Sequence, residues 1–175
     1  MRRMFRKSGF HPQHPAPHPI TPRPPQHPHH PHVPPPPLPV TITDHGKKPY
    51  VVDINRATLG NTNYRTTIWT GTYLQVTLMS IPPGEDIGLE VHPDTDQFLR
   101  IEEGQGLVQM GKSKQELNIR QAVFGDFAVV VPAGTWHNIT NIGNTPLKIY
   151  SIYAPPHHKH GTVHATKAIA EQMEH

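Results

Sequence analysis

Residues 84–106 read GEDIGLEVHPDTDQFLRIEEGQG, and residues 125–141 read GDFAVVVPAGTWHNITN. In the first stretch Glu90 and His92 stand two apart, so on a strand both project to the same side. Gln97 lies five residues beyond His92, across the turn HPDTD, where the next strand pairs back toward them. In the second stretch His137 opens a strand just after Pro132-Ala133-Gly134. Together they supply one carboxylate, one carboxamide and two imidazoles. In a small closed barrel alternate residues point inward, and a polar side chain there needs a partner or a ligand. One divalent metal ion satisfies all four at once. Taken singly, each residue has a plainer reading: Glu90 facing water, His137 bonded to a backbone carbonyl, Gln97 an ordinary strand residue. The metal reading rests on the set and its spacing.

The surrounding sequence is strand-like. YVVDI (50–54) and TTIWTG (66–71) read as short strands around a polar loop, NRATLGNTNYR (55–65). TYLQVTLMSI (72–81) alternates and is rich in β-branched residues, and Pro82-Pro83-Gly84 then turns the chain. IGLEVH, QFLRIEE, LVQM, FAVVV, TWHNITNI and LKIYSIYA continue the series. Many short strands at close spacing predict an all-β sandwich or barrel. From Val163 the end, VHATKAIAEQMEH, reads as a short helix with Ala165, Ile169 and Met173 on its docking stripe.

Composition divides the chain of 175 residues into three parts. Residues 1–43 hold fourteen Pro, seven His and five Lys or Arg, with no acid. Such a segment has little apolar surface to bury, and residues 1–45 are expected to be a disordered Pro/His-rich tail. Residues 46–158 form the expected barrel, and 159–175 a C-terminal tail or short helix. The tail histidines read as a loose metal chelator or as a solvated tail. Beyond residue 43 there are 11 basic and 13 acidic residues, so the basic character belongs to the tail. It does not argue for nucleic-acid binding by the body. The absence of cysteine excludes disulfides and thiolate sites. No apolar run reaches membrane-spanning length, and the start has no signal-peptide core. The expectation is a cytoplasmic protein, with cell-surface or spore association through the tail as an alternative.

The first stretch resembles the first motif of the cupins. Gly84, five residues, Glu90 and His92 two apart, Gln97, then six residues and Gly104 follow its order. Gly125, Pro132, Gly134, His137 and Asn141 resemble the second motif, with one extra residue between Gly125 and Pro132. The resemblance implies a jelly-roll barrel of six to eight strands over about residues 65–155, and a homodimer. It implies metal ligands at Glu90, His92, Gln97 and His137, for one divalent ion such as Zn, Fe, Mn or Ni. The commonest cupin pattern has His where Glu90 stands and Glu where Gln97 stands. Two His with one Glu is also the ligand inventory of a non-haem Fe(II) site.

The whole run also looks like small bacterial cupins often labelled mannose-6-phosphate isomerase-like. Three functions stay open. An isomerase acts on a sugar or sugar phosphate, with Tyr150, Tyr153, Glu102 or Lys148 as proton carrier. A dioxygenase uses Fe(II). A non-catalytic barrel binds a sugar or another small ligand, as a surface or spore-coat component. A polar pocket lined by Lys or Arg favours the first, and a dry apolar pocket the second. A lumen filled by side chains favours the third. Trp69 and Trp136 are expected to pack rather than face a ligand, and Arg100 to lie at the surface.

Overall fold

The computed structural model describes residues 42–173. The predicted disorder of residues 1–41 lies outside the described residues. Among the described residues nine strands run β1 (Arg65–Thr70), β2 (Gln75–Ile81), β3 (Asp96–Glu103), β4 (Gly106–Gly111), β5 (Ile119–Val123), β6 (Ala128–Val131), β7 (Trp136–Asn141), β8 (Leu147–Ala154) and β9 (Val163–His164). Two helices complete the set, α1 (Ile54–Gly60) and α2 (Lys167–Met173). One sheet has the order β6-β3-β8-β2-β1-β9 and the other β5-β4-β7, with antiparallel pairing throughout. This is the expected all-β jelly roll with a short C-terminal helix. The two-residue β9 takes the count past the expected six to eight.

Alternation builds the barrel. On β3, Gln97, Leu99 and Ile101 are buried while Phe98, Arg100 and Glu102 are half-buried on the other face. On β8, Leu147, Ile149, Ser151 and Tyr153 are each 0% exposed. The core joins Leu147, Ile149, Leu99, Ile101, Met79 and Ile81 from the large sheet to Val108, Val123 and Ile139 from the small one. Gln75, Thr77, Gln97, Ser151 and Tyr153, at the other end of β2, β3 and β8, are buried and mostly polar. The lumen therefore has an apolar plug at one end and a polar chamber at the other.

Turn chemistry closes the strands. Gly104 takes φ +96 between β3 and β4, and a Cβ there would sit 2.9 Å from the Leu147 Cα. Only glycine meets both demands. Asn141, the last residue of the second motif, donates to the carbonyls of Ile81 and Thr145, each at 2.8 Å, and accepts from the Gly143 amide at 2.9 Å. It staples the β7–β8 turn to the end of β2.

Four expectations need correction. YVVDI is not a strand, and most of the following polar loop is α1. Asp53 caps that helix, accepting from the Arg56 amide at 3.1 Å, and Ala57 is buried beneath it with Ile68 and Leu78. Seven residues are too few for a helical period to stand out. IGLEVH is not a regular strand either, because Gly88 takes φ +86 and interrupts it. Isolated bridges, Asp86 with Thr140 and Glu90 with His137, hold the segment to β7, together with the Ile87 amide on the Ile139 carbonyl and the Asn138 side-chain amide on Asp86, each at 3.1 Å.

The helix expected from Val163 starts at Lys167, because Val163 and His164 pair with Thr66 and Arg65 on β1. Its buried residue is Ala170, while Ala165, Ile169 and Met173 are exposed. Residues 42–45, assigned to the tail by composition, pack on the barrel. Ile42 joins the cluster under α1, and the His45 amide donates to the Ile68 carbonyl at 2.9 Å. The Asp44 side chain, 1% exposed, accepts from the Thr70 hydroxyl at 2.6 Å and from the Gly161 amide at 3.0 Å.

Candidate metal centre

Glu90 and His137 face each other across the bridge between the irregular 86–92 segment and β7. The Glu90 amide donates to the His137 carbonyl at 3.0 Å, and the His137 amide donates back to the Glu90 carbonyl at 2.9 Å. His92 enters two residues later, and the Gly134 amide donates to its carbonyl at 2.7 Å. The Pro-Ala-Gly turn thus holds the backbone of one histidine while leading into the strand of the other.

The side chains converge. Glu90 Oε1 lies 3.4 Å from His92 Nε2 and 3.4 Å from His137 Nε2. Ligand atoms of all three fall within 4.8 Å of one another. His137 Nδ1 sits 3.0 Å from the Thr135 carbonyl oxygen, which can only accept, so Nδ1 carries the proton. In the neutral ring Nε2 then presents a lone pair toward the carboxylate. Two lone pairs facing each other at this distance call for a cation between them.

The buried polar atoms give the same test. Glu90 Oε1, both nitrogens of His92, His137 Nε2 and Gln97 Oε1 have no hydrogen-bond partner among the described residues. Buried polar atoms are seldom left so. Nitrogen and oxygen ligands sit about 2.0–2.2 Å from a divalent ion, which sets two neighbouring ligands roughly 3.0–3.4 Å apart at tetrahedral to octahedral angles. The observed 3.4 Å separations match that spacing. The donor set fits a divalent ion.

Electrostatics keep the acid ionised. Burial by itself raises the Glu90 carboxyl, but in the metal-free site N–H donation from the imidazoles of His137 and His92, where a proton stands in for the cation, with Arg65 beyond, holds it well below the ordinary carboxylate range. It is an anion ready to bind a cation.

Gln97 lies on β3 opposite Tyr153 of β8 and is 2% exposed. Its Nε2 donates to the Ser151 hydroxyl at 2.9 Å, and its Oε1 is left without a hydrogen-bond partner among the described residues. Among the proposed proton carriers, Tyr153 belongs to the chamber, its ring 5.6 Å from that of His92. Tyr150 packs on the opposite face with the Ile68–Leu78 cluster. Glu102 is held there by Arg100 at 2.7 Å and by Asn55. The Lys148 ammonium donates to the Asn61 carbonyl at 2.5 Å and lines a separate cavity of about 290 Å³.

The chamber opens into a pocket of about 1020 Å³ whose wall includes Glu90, His92, Lys114, Trp136, His157 and Lys159. Trp136 was expected only to pack. It is half-buried at the pocket mouth, with the Lys114 ammonium 4.8 Å from its ring centre. His157, which belongs to neither motif, also reaches the site, its ring 4.1 Å from that of His92. The run HHKH at 157–160 was its only signal.

A jelly roll with this cluster in its lumen defines a small cupin, and residues 77–153 match the cupin domain family. The chain belongs to the cupin family. It is 64% identical over 133 residues to the protein YrkC of Bacillus subtilis (strain 168), covering 76% of this chain and 72% of that one. It is 44% identical over 115 residues to the protein L612 of Acanthamoeba polyphaga mimivirus, covering 65% and 70%. The crystal structure of BH2720 from Bacillus halodurans is similar with a TM-score of 0.74 and 62% identity, over 75% of this chain and 99% of that one. None of these names states an activity. No helix among the described residues is long and apolar enough to cross a membrane.

Proposed function

We propose that this chain is a metal-dependent cupin in which Glu90, His92 and His137 hold one divalent ion, with Gln97 beside them. The single observation that carries this reading is Glu90 Oε1 standing 3.4 Å from both imidazole Nε2 atoms. The large pocket beside the cluster takes a small polar molecule, a sugar or sugar phosphate. When bound, the ion supplies Lewis-acid polarisation of a carbonyl or hydroxyl oxygen. The protein's own part is to orient the ligand and to move a proton between neighbouring carbons. Tyr153 is the carrier we assign, as the candidate whose ring lies against His92.

This isomerase-type reading is favoured over oxygen chemistry because Lys114, Lys159 and several imidazoles line the pocket, which is not a dry apolar wall. A dioxygenase is the second reading, favoured by the two-histidine, one-carboxylate donor set. The test loads the protein with Zn(II), Mn(II), Ni(II) or Fe(II). Aldose–ketose phosphate interconversion is followed by NMR, and oxygen consumption by electrode. Interconversion that is lost in His92→Ala is the expected result. Oxygen uptake with Fe(II) and no interconversion would replace it with the second reading. We further propose that the barrel works as a homodimer in the cytoplasm.

A further inference from the structure

The segment 157–164, which follows the last long strand, is built into the chamber mouth. Gln75, 0% exposed on β2, clamps it from inside. Its Nε2 donates to the His158 carbonyl at 2.8 Å, and its Oε1 accepts from the amides of His158 at 2.9 Å and His157 at 3.3 Å. Asp44 holds the far end through the Gly161 amide at 3.0 Å. The clamp sets the His157 ring against His92 and nearly parallel to Tyr153, with centroids 4.1 and 5.7 Å away. It also places His158 and Lys159 on the pocket wall. Across the mouth, Trp136 holds Lys114 by its ring face.

The charge of this wall is one-sided. Among the residues lining the pocket, Lys114 and Lys159 are cations, and His92, His157, His158 and His164 are imidazoles. Glu90 is the one acid in that lining, and it is the carboxylate turned toward the histidine cluster. A divalent ion there would cancel that charge and leave the vestibule positive. Cations gathered at a low-dielectric cleft raise the local concentration of anions and pair with oxyanions.

We propose that segment 157–164, with Lys114, forms an anion-selecting vestibule, and that the natural ligand is a small organic molecule bearing a phosphate or carboxylate group. The oxyanion is held at the lysines and imidazoles while its uncharged end reaches the Glu90–His92–His137 cluster. The proposal rests on the metal reading for what lies beneath the vestibule, and on the lysines for its selectivity.

The test is isothermal titration calorimetry of full-length, metal-loaded protein at low ionic strength. The probes are inorganic phosphate, malonate and uncharged glucose. Lys114→Gln/Lys159→Gln removes two exposed charges without touching the core. The tail stays present in both proteins, so any binding by its basic residues cancels in the comparison. At least one anion is expected to bind, and the double variant to bind it at least tenfold more weakly with unchanged metal content. The preferred anion tells a phosphate-bearing ligand from a carboxylate. Equal anion affinity in both proteins, no binding of either anion, or glucose bound as tightly as the anions would each overturn the proposal. A repeat after chelation separates the two readings. Lysine-dependent anion binding by a protein that takes up no metal supports the vestibule and sinks the metal site alone.

Discussion

Glu90 and His137 are joined twice, by a reciprocal pair of backbone hydrogen bonds at 3.0 and 2.9 Å and by a side-chain approach of 3.4 Å. The backbone pair positions the side chains but does not depend on them. Glu90→Gln and His137→Ala are therefore expected to keep the barrel's far-UV circular dichroism while losing bound metal. Loss of the β spectrum in both variants would mean that the side-chain contact itself holds the fold.

Gln97 is expected to support the ion less than the histidines do, because a neutral amide oxygen brings no charge. Gln97→Ala removes the partner of the Ser151 hydroxyl and is predicted to weaken metal affinity on the order of 10–100-fold. Gln97→Glu keeps that contact, since a serine hydroxyl donates as readily as it accepts. It should bind metal at least as well as the natural chain. Competition with a chromogenic chelator measures both.

Acid should unfold the metal-free protein. Asp44, Asp86 and Glu90 all lie below their ordinary values of 3.8, 3.8 and 4.5 in the folded state, although burial opposes this in each. Hydrogen bonds from Thr70, Gly161 and Gly46 lower Asp44, and those from Lys167, Asn138 and Gly88 lower Asp86. For a lowered carboxyl the unfolded chain binds protons first. The stabilisation is present above the ordinary value and is lost as pH falls through it toward the folded one. Urea midpoints should fall steeply below about pH 4.5. An unchanged midpoint down to about pH 3 would contradict the assignment.

The apolar plug should dominate stability. Leu99→Ala, at a fully buried site, is predicted to cost about 2–5 kcal/mol in denaturant unfolding. Val130→Ala, on the edge strand β6 and 63% exposed, should stay within about 0.5 kcal/mol. Similar losses at both sites would mean that β6 is covered by a partner chain.

The barrel was legible because its signals are local and repeated. Alternation in QFLRIEE and LKIYSIYA, and the turns at Pro82-Pro83-Gly84 and Pro132-Ala133-Gly134, each mark a strand or its end. The convergence of Glu90, His92 and His137 could be anticipated from spacing, although the strand invoked for Glu90 and His92 is broken at Gly88. α1 gives a faint pattern, because one capping aspartate and two adjacent buried residues, Ala57 and Thr58, show no helical period. The place of His157 was hidden for another reason. It is set by the Gln75 amide gripping main-chain atoms 82 and 83 residues away, and such a contact asks nothing of the side chains it positions. Asp44 was lost to the tail because composition averages over a window, whereas its anchoring depends on one carboxylate.

The most direct test of the central claim is a difference measurement of bound metal. Full-length protein and the triple variant Glu90→Ala/His92→Ala/His137→Ala are dialysed against Fe(II), Mn(II), Zn(II) or Ni(II), and metal is counted by elemental analysis. The seven histidines of residues 1–43 contribute equally to both proteins. The site predicts one more metal ion per chain in the natural protein than in the folded variant, for at least one of the four metals. Equal metal content for all four would contradict it, leaving the three side chains as a polar core in a barrel that binds its ligand without metal.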